Sequence, residues 1–389
     1  MQSLIRIIIS LLFITSLLSC EKDNPINARN LNCSENDFPT NNHPRASEFQ
    51  TVIDAGIQSG IVGITAMIQS PEGLWLGAAG KADLATNTDM EICKRAMVAS
   101  CTKTFTAAIV FKMIEAGLLR LDDQLGDLMP ASILKDIENA SASEIQHLLS
   151  HTSGIADYYT TSFELSRADK YNNNFTQLDI LEFTRGVSAD HAIGERFTYS
   201  NTNYLLLGLL LEEILDQPIQ DIFQSQLSQP HGLRSVEYIF ELPNDLISGY
   251  GAVSNDIVVQ SQRYYQDETG SGDGALVSTA YDLGSFIRLL GEGQIVSASS
   301  LAKMTEWFDM PSDEQGPEIG FLQNGFGLER YQTEFGNGFG HFGGVDGFNS
   351  VMLYFPEAAT TVAFILNGRL IREDNFLTLY DDLLEVALR

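Results

Sequence analysis

Two groups of short apolar stretches with strand character stand at opposite ends of this chain, and a long segment of 3.6-residue apolar periodicity separates them. Residues 61–69 and 74–79 read as strands joined by the turn Ser70-Pro71-Glu72-Gly73. Residues 325–330, 338–342, 348–355 and 361–367 read as strands near the other end. Between them, residues about 120–270 carry helical periodicity around 144–150, 177–185 and 204–215, separated by polar loops. Further helices are expected over 47–58, from Ser100 to Glu115 with Gly117 as the stop, over 276–290 and over 373–388. The expectation is an α+β fold. One antiparallel sheet, completed by both chain ends and flanked by helices, has a mostly helical insertion seated beside it, with the active site at the junction.

The 389 residues suffice for one large core or two modest domains. A formal net charge of −28 argues against nucleic acid as a partner, because phosphate binding needs Lys/Arg clusters that this chain lacks. Arg6 precedes an apolar stretch, residues 7–18, too short to span a bilayer but suited to a signal peptide over residues 1–19. The stretch ends in Leu17-Leu18-Ser19-Cys20, which resembles a bacterial lipobox and implies lipidation of Cys20 and a cell-envelope protein tethered to a membrane. An ordinary secreted protein with an incidental Cys20 is the alternative. Polar residues 20–45 then read as a flexible tether, with a single domain over 46–389. With Cys20 lipidated, Cys33, Cys93 and Cys101 remain, an odd count that argues against a disulfide framework.

Ser100-Cys101-Thr102-Lys103 lies where an apolar extended stretch gives way to a helix. A Lys three residues after a Ser shares its helix face, and an amine close to a hydroxyl can activate it as a nucleophile. The helix N-terminus also favours negative charge developing on that oxygen. Ser19/Lys22, Ser132/Lys135 and Ser300/Lys303 have the same spacing, so context must separate them. Tyr199 and Asn201 lie in a polar loop opening onto an apolar helix. A phenol can relay protons when a neighbouring ammonium lowers its pKa, and an Asn amide can orient both a Lys and a substrate amide. In Gly340-His341-Phe342-Gly343-Gly344 the glycines allow close backbone approach, and an N–H there can form half of an oxyanion hole with Ser100 N–H. His341 can position a substrate or help move a proton. His147 and its partner four residues on, His151, lack a third ligand at a telling spacing, so they are expected to be structural rather than zinc ligands.

Together these segments resemble the serine β-lactamase and penicillin-recognising enzyme superfamily, in its class C-like branch of D-alanyl-D-alanine carboxypeptidases and esterases. Ser100/Lys103 matches its S-x-x-K motif, Tyr199/Asn201 its Y-x-N motif, and His341/Gly343 its third motif in the H-x-G form. The resemblance covers roughly residues 46–385. It implies Ser100 as nucleophile, Lys103 and Tyr199 as its proton-handling partners, and Asn201, His341, Gly343 and Gly344 as substrate or oxyanion groups. It also implies a small-molecule or peptide substrate, peptidoglycan fragments among the candidates, and no metal or cofactor. A carboxylesterase, a β-lactamase and a non-catalytic sensor of cell-wall fragments are the competing readings. Phe342 departs from the pattern, since Thr or Ser commonly stands there and helps bind a substrate carboxylate.

Overall fold

The hairpin at Ser70 and Gly73 forms as its turn chemistry predicts, joining β1 (Gly63–Ser70) to β2 (Gly73–Asp83) in antiparallel register. The structure is a computed structural model that describes residues 38–169, 175–239, 246–254, 257–260, 272–369 and 373–389. The expected leader, Cys20, Cys33 and most of the tether lie outside these residues. The chain divides into compact units 1–30 and 31–389, and every described residue belongs to the second.

Six strands from the C-terminal third join the early ones. After β3 (Thr88–Asp89) come β4 (Phe308–Asp309), β5 (Phe321–Asn324), β6 (Glu329–Thr333), β7 (Gly336–Val345), β8 (Phe348–Phe355) and β9 (Thr360–Leu366). The nine-stranded sheet has the order β3-β2-β1-β9-β8-β7-β6-β5-β4. β1 pairs antiparallel with β9, Ile64 opposite Leu366, so the two ends of the chain close one sheet. Every residue of β9 is buried. That fits a central strand covered on both faces, whose sequence is a continuous apolar run rather than an alternation.

Helices cover the two faces. Phe49 and Ile53 of α1 (Ala46–Gln58) pack with Leu379 and Leu383 of the C-terminal helix (Glu373–Leu388) on one face. On the other lies the main core, which includes α2 (Thr102–Glu115), α3 (Asn201–Leu215) and α4 (Ala280–Gly291). α2 is buried at every position except Lys112, Ile114 and Glu115. A helix apolar all round belongs in an interior, and Phe105 stacks face to face on Phe286 of α4 there. Gly117, at φ +72°, follows the helix end. The fold is therefore α+β, an antiparallel sheet flanked by helices. The middle of the chain contributes α3 and shorter helices, Ile145–Leu149 and Gln177–Leu181 among them.

Three expectations change. The helix expected from residue 276 begins at Ala280, because Leu276–Ser278 is a strand held between Ala96–Met97 and Glu237–Tyr238. The Thr279 hydroxyl then accepts the Asp282 N–H and starts the helix as its N-cap. The strand expected over 325–330 starts only at Glu329, because Gly325 N–H turns back to the Leu328 carbonyl at 2.7 Å. Cys93 is disulfide-bonded, a pairing that the expectation of no disulfide framework did not include, while Cys101 is a buried free thiol.

Candidate active site

The strand Ala96–Met97 runs directly into a 3-10 turn, Ala99–Cys101, that carries Ser100 at the mouth of α2. Ala99 sits at φ +46°, a left-handed conformation that costs an L residue energy and persists only where its surroundings impose it. Three hydrogen bonds impose it here. Val98 N–H donates to the Leu276 carbonyl at 3.0 Å, Ser350 Oγ donates to the Val98 carbonyl at 2.7 Å, and Cys101 Sγ donates to the His341 carbonyl at 3.3 Å. Burial pushes the Cys101 thiol up to about 12, so it stays protonated and acts as a small packed donor.

Lys103 is fully buried in the first turn of α2. Its Nζ donates to Ser100 Oγ at 3.1 Å, to Asn201 Oδ1 at 2.8 Å and to the Asp273 carbonyl at 3.0 Å. An ammonium has three N–H bonds, and these three acceptors aim it at the serine. Asp273 lies on the chain just before the strand Leu276–Ser278, its Oδ2 3.9 Å from Nζ and bonded by Tyr158 Oη at 2.7 Å. The chain reaches this point through Gly272, where a Cβ would meet the Tyr204 carbonyl at 2.5 Å. Only a glycine lets this segment pass so close to α3.

Tyr199 and Asn201 converge on the same amine. Lys103 Nζ lies 5.1 Å from the centroid of the Tyr199 ring. Burial pushes the Tyr199 phenol well above its ordinary value, and a hydrogen bond with Ser100 works in the opposite direction. The lowering expected from a neighbouring ammonium is therefore outweighed. Desolvation dominates, and Tyr199 keeps its proton in the resting site. His151 stacks on its ring, centroids 4.4 Å apart and planes 23° from parallel. His151 Nδ1 accepts the Ser200 N–H at 3.2 Å, and burial holds this imidazole well below its ordinary value. His151 thus braces the site, a contact that its place at a helix end did not reveal. His147 is structural, its Nδ1 accepting the Glu144 N–H at 3.1 Å.

Asn201 is fixed from its far side by Asp157, which sequence reasoning missed. Asp157 Oδ2 accepts Asn201 Nδ2 at 2.9 Å, and Oδ1 accepts the Asn201 backbone N–H at 3.2 Å. Asp157 keeps an edge at the surface, yet burial still pushes its carboxyl up to about 6. The one sequence cue was its position three residues after the turn His151-Thr152-Ser153-Gly154. Asp273 and Glu329 were missed as well. Neither stands in a motif, and each reaches the site through tertiary contacts.

The third wall is β7. Its residues alternate between the faces of the sheet, which places the buried His341 toward the Ser100 segment and Phe342 on the other side. The Phe342 ring packs on Tyr331 at 5.2 Å and Tyr380 at 5.5 Å, within the core under the C-terminal helix. It therefore presents no side-chain group on the Ser100 side of the sheet. His341 Nδ1 lies 2.5 Å from the Phe342 carbonyl and 3.6 Å from the Glu329 carboxylate. Burial holds the His341 imidazole below its ordinary value, against Glu329 and the Phe342 carbonyl, which favour its protonated form. At Gly343 a Cβ would lie 2.1 Å from the Val98 carbonyl oxygen and 2.4 Å from Ser350 Oγ. Gly344 follows as an exposed residue. Gly343→Ala is expected to force β7 away from the serine turn, costing about 1–3 kcal/mol as overpacking does. Turnover should fall with it. Thermal denaturation together with an activity assay checks this, and a variant as stable and active as the wild type would refute the close approach.

Ser19/Lys22 lies outside the described residues, and the other two competing Ser/Lys pairs acquire no such partners. Lys135 is exposed beside Asp136, and Lys303 pairs with Glu306 at 2.6 Å on the surface. Among the described residues no group of His, Cys, Asp or Glu is arranged to hold a metal ion. The beta-lactamase family profile matches residues 49–384. The chain is 27% identical to penicillin-binding protein 4 of Amycolatopsis lactamdurans over 284 residues, 69% of this chain and 71% of that protein. It is 27% identical to penicillin-binding protein 4* of Bacillus subtilis over 303 residues, 74% of this chain but only 62% of that relative's length. The fold is similar to that of D-amino acid amidase from Ochrobactrum anthropi SV3 complexed with D-phenylalanine, at 22% identity and a TM-score of 0.78, covering 88% of this chain and 98% of that one. This chain belongs to the beta-lactamase family and is a serine hydrolase of that family.

Proposed function

We propose that this chain hydrolyses a peptide, amide or ester bond through an acyl-enzyme on Ser100, and that a D-alanyl-D-alanine carboxypeptidase-like activity on D-configured peptides or amides is its leading form. The observation that carries the reading is Lys103, a fully buried amine 3.1 Å from Ser100 Oγ and directed there by Asn201 and the Asp273 carbonyl. Burying an amine costs desolvation, and an apolar residue would serve packing at this position better. Relatives named as penicillin-binding proteins and the amidase complexed with D-phenylalanine support the substrate class.

In this reading the reactive form carries Lys103 as the neutral amine, whose lone pair takes the Ser100 proton, directly or through Tyr199, as Oγ bonds to the substrate carbonyl carbon. Tyr199 holds its own proton at rest, so it relays a proton rather than starting as the base. The N–H groups of Ser100 and Gly344 receive the oxyanion, while Asn201 and His341 position the substrate. The C–N or C–O bond breaks as the proton returns to the leaving amine or alcohol. Water then attacks the ester carbonyl, gives its proton to the same pair, and releases Ser100 Oγ with a hydrogen restored.

His341 favours a second reading, a carboxylesterase or an amidase of uncharged substrates. A carbonyl only accepts, so the 2.5 Å contact with the Phe342 carbonyl places a hydrogen on Nδ1. The ring held neutral by burial lacks the charge that a Lys would offer a carboxylate. Turnover of a D-Ala-D-Ala peptide, a D-amino acid amide, a short p-nitrophenyl ester and a chromogenic cephalosporin divides the readings. Sustained turnover is expected on one of the first three, at least about tenfold faster than on the cephalosporin, a difference that ~1.4 kcal/mol of transition-state binding supplies. A stoichiometric burst with no turnover on all four would instead identify a sensor that acylates once.

A further inference from the structure

We propose that Asp157 is a positioning residue that sets the orientation of the Asn201 amide and thereby keeps Lys103 aimed at Ser100. The inference rests on the acyl-transfer reading of Ser100 and adds a residue that the three motifs do not contain.

The geometry is a relay of donors and acceptors with no free choice. Lys103 Nζ can only donate, so the Asn201 oxygen must face it, and the contact measures 2.8 Å. The Asn201 amide nitrogen must then point the other way, where it needs an acceptor. Asp157 Oδ2 is that acceptor at 2.9 Å. Asp157 Oδ1 takes the Asn201 backbone N–H at 3.2 Å and the Tyr159 N–H at 3.1 Å, so the carboxylate grips both the side chain and the start of α3. A carboxylate accepts at both oxygens, which an amide at position 157 cannot do.

Protonation breaks the pattern. A proton on Asp157 Oδ2 sets a donor against the Asn201 NH₂. Turning the Asn201 amide over relieves that clash but aims its NH₂ at the Lys103 ammonium, which is equally unfavourable. Either way the amine loses an acceptor that directs it. The groups facing Asp157 are Lys103 from α2, which favours the carboxylate, Asp273 from the segment before Leu276–Ser278, which opposes it, and Tyr199 from the loop before α3. Burial outweighs the favourable contacts and raises this carboxyl to about 6. The carboxylate is therefore present above pH ~6 and lost below it, so activity should rise with pH through that region.

The test measures kcat/KM for a short p-nitrophenyl ester from pH 4.5 to 8.5. The wild type should lose activity on an acid limb near pH 6. Asp157→Asn places a permanent NH₂ beside Asn201 and should reproduce the low-pH state. Its activity at pH 8 should be about 10- to 100-fold below wild type, without the limb near pH 6, at or below the low end of general acid–base contributions because Asp157 acts through Asn201. Asn201→Ala should also lack that limb, and adding Asp157→Asn to it should cause less than about a threefold further loss, because contacting residues that act as a unit are not additive. A wild-type profile flat between pH 5 and 7, or an Asp157→Asn loss that multiplies fully with that of Asn201→Ala, overturns the proposal. The wild-type and Asn201→Ala profiles decide the matter even if Asp157→Asn does not fold. Ser100→Ala in the same assay separates the underlying reading: residual turnover there removes the acyl-enzyme itself, whereas an inactive Ser100→Ala beside a flat wild-type profile removes only the role of Asp157.

Discussion

Ser100→Ala should lower kcat by at least about 10³-fold, because the hydroxyl is the only atom removed and the covalent route goes with it. Ser100 is half-buried in the middle of a 3-10 turn, its oxygen accepting from Lys103 at 3.1 Å and bonded to Tyr199. Neither contact holds the turn in place. That is done by Val98, Ser350 and Cys101, whose hydrogen bonds do not involve the serine oxygen. The variant should therefore fold as the wild type does, with a melting temperature within a few degrees. A fluorescent penicillin or an activity-based serine probe should label the wild type and not the variant. Labelling that survives the substitution would remove Ser100 as the nucleophile, whatever happens to turnover.

Lys103→Met should be nearly as damaging to catalysis, with a loss on the order of 10²–10⁴ in kcat, the usual size of a general acid–base contribution. Its effect on stability runs the other way from intuition. The substitution removes an amine that must be desolvated in the fold and replaces it with an apolar chain of similar length in a fully buried site. Against this, Asn201 Oδ1 and the Asp273 carbonyl each lose a donor. The Asp273 carboxylate keeps its bond from Tyr158 Oη. The two effects oppose each other, so little net change in stability is expected while activity falls. Rapid-mixing kinetics should show that the acylation burst is slowed as strongly as turnover. Acylation at the wild-type rate in Lys103→Met would show that the serine is activated by some other group.

Much of the architecture was legible because it depends on local periodicity and turn chemistry. Ser70 to Gly73 closes a hairpin, Gly117 follows the end of α2, and residues 348–355 form a strand with the bounds their pattern suggested. The errors fall where a segment's partner is distant. Residues 276–278 have helical neighbours, but their backbone pairs with strands from elsewhere in the chain. Residues 325–328 are apolar and glycine-rich enough for a strand, but their hydrogen bonds fold back on themselves.

The sequence by itself determined which residues meet at short range. Ser100 and Lys103 share one helix face because three residues make nearly one turn, and Tyr199 and Asn201 stand together at the entry to an apolar helix. Only the tertiary structure decided what surrounds them. It brought Asp157, Asp273 and His151 to that group from loops with no motif of their own. It turned the Phe342 ring away from Ser100 into the core beneath the C-terminal helix. It also reversed the expected behaviour of Tyr199, whose proton is retained because desolvation outweighs the nearby ammonium. Spacing along a chain can place a charge beside a hydroxyl. How far both are removed from water depends on every element packed around them, and that is what sets their protonation.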